Sequence, residues 1–166
     1  MNSGALPRYG LGVHTVTVGR DWLDYNEHMN VAFYLKAFDD ASEAFIALAG
    51  MGAQYTRATN LSWVALESHL GFVREALLGD TLRIESRLLE LDASKLHLAQ
   101  MMYRGDELLA THEQLGLHFD TVARRARPFA PEVHARLAAL VEAQQRLPRP
   151  SWVGRRIGLD QGRLGT

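Results

Sequence analysis

The residues best equipped for chemistry lie in one stretch, Asp24-Tyr25-Asn26-Glu27-His28-Met29-Asn30, which runs straight into the apolar Val31-Ala32-Phe33-Tyr34-Leu35. A carboxylate, an imidazole and a carboxamide thus precede the strongest helical pattern in the chain. Asn30 is suited to cap that helix, its side-chain oxygen accepting an N–H that the first turn leaves unpaired. The neighbouring N–H groups of Val31, Ala32 and Phe33 are then free to face a ligand, with the positive end of the helix dipole behind them. A carboxylate beside such donors is equipped for attack on a carbonyl, the N–H groups holding the oxyanion. Asp24 is the expected catalytic carboxylate, and its type and position leave nucleophile and general base both open. The competing reading is an aspartate that stabilises a turn through its own backbone. His28 is expected to orient Asp24 or a water, and a histidine tying the loop to a strand explains it equally well.

Rival chemistries lack their parts. The chain has no cysteine, which removes disulfides, thiolate metal sites and a cysteine nucleophile. There is no Gly-x-Ser-x-Gly elbow and no glycine-rich phosphate loop. Seven histidines raise the question of a metal, but no HExxH or close His/carboxylate cluster is present. His112 and His118 share a strand face yet stand about 20 Å apart at ~3.3 Å per residue. No metal and no cofactor are expected. Asp39, Asp40 and Glu43 form the polar side of the helix and are the competing acids, although a solvated face with Lys36 paired to Asp40 accounts for them.

The elements that must position these groups can be read from periodicity. Val13 to Val18 alternates as a strand, and Gly19 to Asn30 is a loop long enough to be functional. Val31 to Ala49 is a helix so apolar that it must be mostly buried, with Gly50 as its stop. Met51 to Asn60 has room for a short helical turn. From Leu61 the period becomes two, with strands over Trp63 to Val73, Thr81 to Leu91, Lys95 to Tyr103 and Glu107 to Asp120. Pro131 to Leu147 makes a second helix. Strand, helix and four strands in series predict an α+β domain over residues 1–150, its antiparallel sheet curled around the first helix. Residues 1–10 read as a loose lead-in and 151–166 as a partly ordered Gly/Arg-rich tail.

Bulk properties agree with a single soluble domain. At 166 residues the chain can bury roughly 70% of its unfolded surface. No apolar run approaches the ~18 residues a membrane span needs, and no apolar region follows Arg8 as a secretory signal would require. No membrane association and a cytoplasmic location are therefore expected. Residues 1–120 carry nine Lys/Arg against sixteen Asp/Glu, a balance of −7, and residues 121–166 carry nine against three, a balance of +6. That basic end is either a solvated surface or a phosphate-binding rim. Nucleic acid is a poor fit, because the net charge is −1 and no groove-reading motif is present.

The order of elements and the loop Asp24 to Asn30 resemble hotdog-fold acyl-CoA thioesterases, whose loop has the form Asp-x-x-Gly-His-x-Asn. Glu27 stands here where that family has glycine, which tolerates backbone conformations that glutamate does not. The segments Val64-Ala65-Leu66-Glu67-Ser68-His69-Leu70, Ala110-Thr111-His112-Glu113-Gln114 and Gly154-Arg155-Arg156-Ile157-Gly158 look like the betainyl-CoA thioesterase group of carnitine breakdown. The resemblance implies a hotdog fold and hydrolysis of an acyl-CoA thioester by Asp24, with His28 and Asn30 beside it. It also implies a homodimer or homotetramer with pockets at the subunit interface, an arrangement that would cover the edge of a small open sheet.

Under that reading Trp22, Tyr25 and Trp63 offer aromatic faces to a trimethylammonium group, though core packing explains Phe33 and Tyr34 better. Glu67, His69 and Glu113 alternate into strands and are candidates to line the pocket. Arg124, Arg125 and Arg127 are candidates for the coenzyme A phosphates. The alternative function is a hotdog module that binds acyl-CoA without cleaving it; a hydratase is a weaker third, since its His-Phe-Pro-Gly loop is missing.

Overall fold

A computed structural model describes residues 12–159. The lead-in over residues 1–10 and the end of the tail, 160–166, lie outside them. The elements are β1 (Gly12–Thr17), a 3-10 turn (Arg20–Trp22), α1 (Val31–Ala47), α2 (Ala53–Thr59), β2 (Leu61–Phe72), β3 (Thr81–Leu91), β4 (Lys95–Arg104), β5 (Glu107–Asp120), β6 (Arg125–Ala126) and α3 (Pro131–Gln144). The strands pair antiparallel in the order β1-β3-β4-β5-β2, with β6 paired to the end of β5.

The sheet wraps α1. The helix buries Tyr34, Ala37, Phe38, Ala41, Phe45 and Ile46, and the sheet meets them with Leu82, Ile84, Leu88, Leu96, Leu98 and Met102. Burying each large side chain contributes about 2–3 kcal/mol. A polar band divides this core into two apolar clusters. In it Ser42, Gln100 and Gln114 meet beneath α1, Gln100 Nε2 donates to the Phe38 carbonyl at 3.1 Å, and His112 reaches Gln100 Oε1 at 2.7 Å and Ser68 Oγ at 2.6 Å. Every member has a partner, so the band directs packing at little cost. This is the expected hotdog architecture.

Both long helices end earlier than expected, and β1, β2 and β4 differ from their expected limits by one or two residues. α1 stops at Ala47 rather than Ala49, because the chain is already turning toward Gly50, whose φ is +82°. α3 stops at Gln144 rather than Leu147. There Arg87, buried on the outward face of β3, donates to the carbonyls of Gln144, Leu147 and Pro148 and so satisfies groups the helix end leaves open. The described part of the tail expected to be partly ordered, residues 151–159, meets the same outward face, where the Gly154 N–H donates to Glu113 Oε2 at 2.7 Å.

Among the described residues no strand lies beyond β2, so a 12-residue edge is left open. Its middle, Ala65 to Ser68, is exposed, and Leu66 keeps 52% of its surface.

Candidate functional site

The loop before α1 is a small, tied hairpin. Leu23 bridges Met29 and His28 bridges Leu77, while the Asp24 N–H donates to the His28 carbonyl at 2.8 Å. Its exit is pinned twice: the Met29 N–H donates to the Ala76 carbonyl at 2.9 Å, and the Asn30 N–H to the Trp22 carbonyl at 2.9 Å. Tyr34, one turn into α1, accepts the Ala76 N–H on its hydroxyl at 2.9 Å and meets the Phe72 ring edge-on. The start of α1 is thereby fixed to the Phe72 end of β2.

Asp24 is half-buried, and its Oδ1 accepts the backbone N–H of Asn26 at 2.8 Å and, more weakly, that of His28 at 3.4 Å. Among the described residues its Oδ2 has no protein partner. One oxygen holds the carboxylate in place and the other is presented. His28 is exposed, and it meets Asp24 through its backbone N–H.

Asn30 is the helix cap, its side chain accepting the Ala32 N–H at 2.9 Å. The expected oxyanion trio needs correcting. The Ala32 N–H is taken by that cap, and the Phe33 N–H donates to the Asn30 carbonyl at 2.9 Å, because a tight first turn consumes its own donors. Among the described residues the Val31 N–H is left without an acceptor.

Glu27 has φ +61°, the left-handed region. Glutamate therefore occupies the backbone position that glycine fills in the resembled motif, at a cost of order 1–2 kcal/mol. Glu27→Gly is expected to stabilise the protein by about 1 kcal/mol after the extra freedom of an unfolded glycine is subtracted. Calorimetry should then show Tm rising by about 2–4 °C.

The other expected pocket residues do not gather at this loop within one chain. Trp22 is close, stacked on Phe33 with centroids 5.2 Å apart, and Tyr25 is 93% exposed. Glu67, His69 and Glu113 come together with Arg155 around a cavity of about 450 Å³. They lie, however, on the sheet face opposite α1: the register pairs His69 with Glu113, whereas the neighbouring pair Leu70 and His112 faces inward. Glu113 there also holds His97 Nε2 at 2.8 Å.

Trp63 is buried at the other end of β2, its indole over Gly116, where a Cβ would stand 1.6 Å from Nε1. It lines a second cavity of about 320 Å³ with Glu43, Ile46, Met51, Tyr55 and Arg57. Arg124, Arg125 and Arg127 are exposed on the β5–β6 turn at that same end. The Arg124 guanidinium lies 5.3 Å from the Phe119 ring centroid, and Arg127 Nε donates to Asp120 Oδ2 at 3.4 Å.

Sequence reasoning missed Tyr55. Its hydroxyl meets His118 Nε2 at 2.9 Å, while His118 Nδ1 donates to the carbonyls of Arg127 and Pro128. Two carbonyls on Nδ1 make Nε2 the acceptor, so the tyrosine donates. The contact joins positions 63 residues apart, so no local pattern announces it.

Asp39, Asp40 and Glu43 lie on the exposed side of α1, with Lys36 Nζ 2.5 Å from Asp40. Burial, then the charges of Asp39 and Asp40, raise the pKa of Glu43. Among the described residues no three His, Cys, Asp or Glu side chains are grouped to hold a metal ion. No helix there is long and apolar enough to cross a membrane.

Comparison with known proteins places this geometry in a family. The thioesterase-like superfamily profile matches residues 18–137. A betainyl-CoA thioesterase of Pseudomonas aeruginosa is 40% identical over 84% of this chain and 89% of its own length. The L-carnitine dehydrogenase/betainyl-CoA thioesterase of Ruegeria pomeroyi is 38% identical over 82% of this chain, which spans 28% of that longer protein. Among solved structures, a Staphylococcus aureus protein in complex with CoA superposes with TM-score 0.85 at 25% identity, covering 95% of this chain and 99% of the other. A putative thioesterase of Pseudomonas putida superposes with TM-score 0.76 at 32% identity, covering 93% and 100%.

Proposed function

The chain belongs to the thioesterase-like superfamily, and from that premise we propose that it hydrolyses an acyl-CoA thioester, with betainyl-CoA as substrate and betaine and free CoA as products. The observation that carries the chemistry is Asp24, held through Oδ1 with Oδ2 open, at the N-terminus of a fixed helix. The relative of Pseudomonas aeruginosa supports the choice of acyl group.

Asp24 acts in one of two ways. In the first, Oδ2 bonds to the thioester carbonyl carbon, the carbonyl π electrons move to oxygen, and collapse expels the CoA thiolate to leave a mixed anhydride that water cleaves. In the second, Oδ2 takes a proton from a water that attacks the same carbon, and collapse of the tetrahedral intermediate expels the CoA thiolate to leave the free acid. Either route develops an oxyanion, and the Val31 N–H with the α1 dipole behind it is the donor for that charge. Removing one such donor typically costs on the order of 100- to 1000-fold in rate. His28 and the Asn30 cap hold the loop and the helix start. No cofactor enters beyond the CoA carried by the substrate, and its phosphates fit the exposed Arg124, Arg125 and Arg127. The enzyme would work in the cytoplasm as a homo-oligomer, in carnitine breakdown.

One observation favours the alternative, an acyl-CoA-binding module without catalysis: Asp24 Oδ1 closes a turn on Asn26, as a purely structural aspartate does. A thiol-release assay over betainyl-CoA, neutral short acyl-CoAs and aryl-CoAs decides. Release of CoA from betainyl-CoA above the others is the expected result. Binding without any release would establish the module, and equal release from neutral esters would remove the betainyl assignment.

A further inference from the structure

The second cavity has walls that a cationic acyl group would select. Trp63, Tyr55, Met51 and Glu43 line it, so two aromatic rings, a thioether and a carboxylate border one space. Tyr55 is held by His118 and Trp63 by its seat over Gly116, so these walls are fixed before any ligand arrives. Arg57, exposed, also lines the cavity. Against it stands Glu43, with Asp39 and Asp40 one turn back on α1. Burial and these two acids oppose ionisation of Glu43, an imbalance that a bound cation would relieve. Aromatic faces with a nearby carboxylate are the chemistry that recognises quaternary ammonium.

One chain cannot join this cavity to Asp24. Glu43 stands thirteen residues along α1 from Asn30, roughly 20 Å at 1.5 Å per residue. In a betainyl ester the ammonium nitrogen sits on the carbon next to the thioester carbonyl. The open β2 edge offers the remedy. Its Phe72 end lies by the Asp24 loop, through Tyr34, and its Trp63 end by the cavity. A second copy pairing antiparallel along β2 brings opposite ends together under a two-fold axis.

Resting on the betainyl reading above, we infer that Glu43, Tyr55 and Trp63 of one copy form the trimethylammonium site for the ester attacked by Asp24 of the other. The same pairing carries the Arg124–Arg127 turn of one copy toward the other's loop.

The test compares betainyl-CoA with its neutral isostere 3,3-dimethylbutyryl-CoA, in which carbon replaces nitrogen. Glu43→Gln, on an exposed helix face, should lower kcat/KM for betainyl-CoA about tenfold more than for the isostere. Equal losses on both esters would overturn the site, making Glu43 part of the general machinery. If wild type itself shows no preference between the esters, the betainyl reading falls first and the site with it.

Hybrid dimers of Asp24→Asn and Glu43→Gln chains, purified through two different affinity tags, test the sharing. A shared site leaves one of two sites intact and about half the wild-type rate on betainyl-CoA. A rate below that of the Glu43→Gln homodimer would overturn it.

Discussion

Asp24→Asn is expected to lower kcat for thioester hydrolysis by about a thousandfold or more while leaving acyl-CoA affinity within a few-fold. The substitution keeps the shape of the side chain. Its carbonyl oxygen can still accept the Asn26 N–H that Oδ1 accepts at 2.8 Å, so the turn survives and only the second, reactive oxygen is exchanged for an amide. Single-turnover release of free thiol, followed beside equilibrium binding of a non-hydrolysable thioether analogue, separates the two effects. Retention of the full rate would return Asp24 to its turn-stabilising role and transfer the chemistry to the carboxylates of α1. Accumulation of an acyl-enzyme in rapid-quench experiments on wild type would identify the nucleophilic route.

The second large effect is on stability against pH. His112 is buried, stacked on Phe38 with ring centroids 5.1 Å apart, and burial lowers its pKa from 6.5 to about 4. The neutral ring suits the polar band, with Nδ1–H directed at Gln100 and Nε2 facing Ser68. Between those two pH values the unfolded chain takes up a proton that the folded chain refuses. Stability is therefore complete above about pH 6.5 and falls as the pH drops toward 4, by about 3 kcal/mol in all. Glu90, Asp92 and Asp120 are held below the ordinary carboxylate range, chiefly by Arg149 and by the backbone N–H groups of Ser94 and Ala123, so their losses come further down. Urea midpoints measured from pH 7.5 to 4.5 should show the decline, and His112→Gln should flatten it. A wild-type profile level across this interval would mean that the histidine protonates in place.

Much of the fold was legible because it rests on local periodicity. β3 and β5 keep the limits that alternation assigns, Thr81–Leu91 and Glu107–Asp120, and α1 starts where Asn30 can cap it. The misread end of α3 is a place where a distant group intervenes. Arg87 closes α3 from 57 residues away, and no window along the chain contains both partners. Glu27 was legible as a departure from the motif, and its φ supplies the physical meaning: a position that must be left-handed whatever residue stands there.

Sequence alone determined which groups are available for chemistry and which are excluded. With no cysteine, serine elbow or phosphate loop, Asp24 at a capped helix start remained the leading reactive group. It also determined that α1 would be buried, since too few polar residues cover its surface. The tertiary structure decided how the donors are shared, which cavities exist and which residues meet in them. The first turn of α1 engages the Ala32 and Phe33 N–H groups, leaving Val31. Strand pairing sends Glu67, His69 and Glu113 to the face away from α1, and the packing of α1 and α2 on the sheet gathers Glu43, Tyr55 and Trp63 at the far end of β2. The reason is physical: periodicity encodes which face of an element is apolar, whereas a site is made where faces from distant elements converge, and that convergence depends on register and packing.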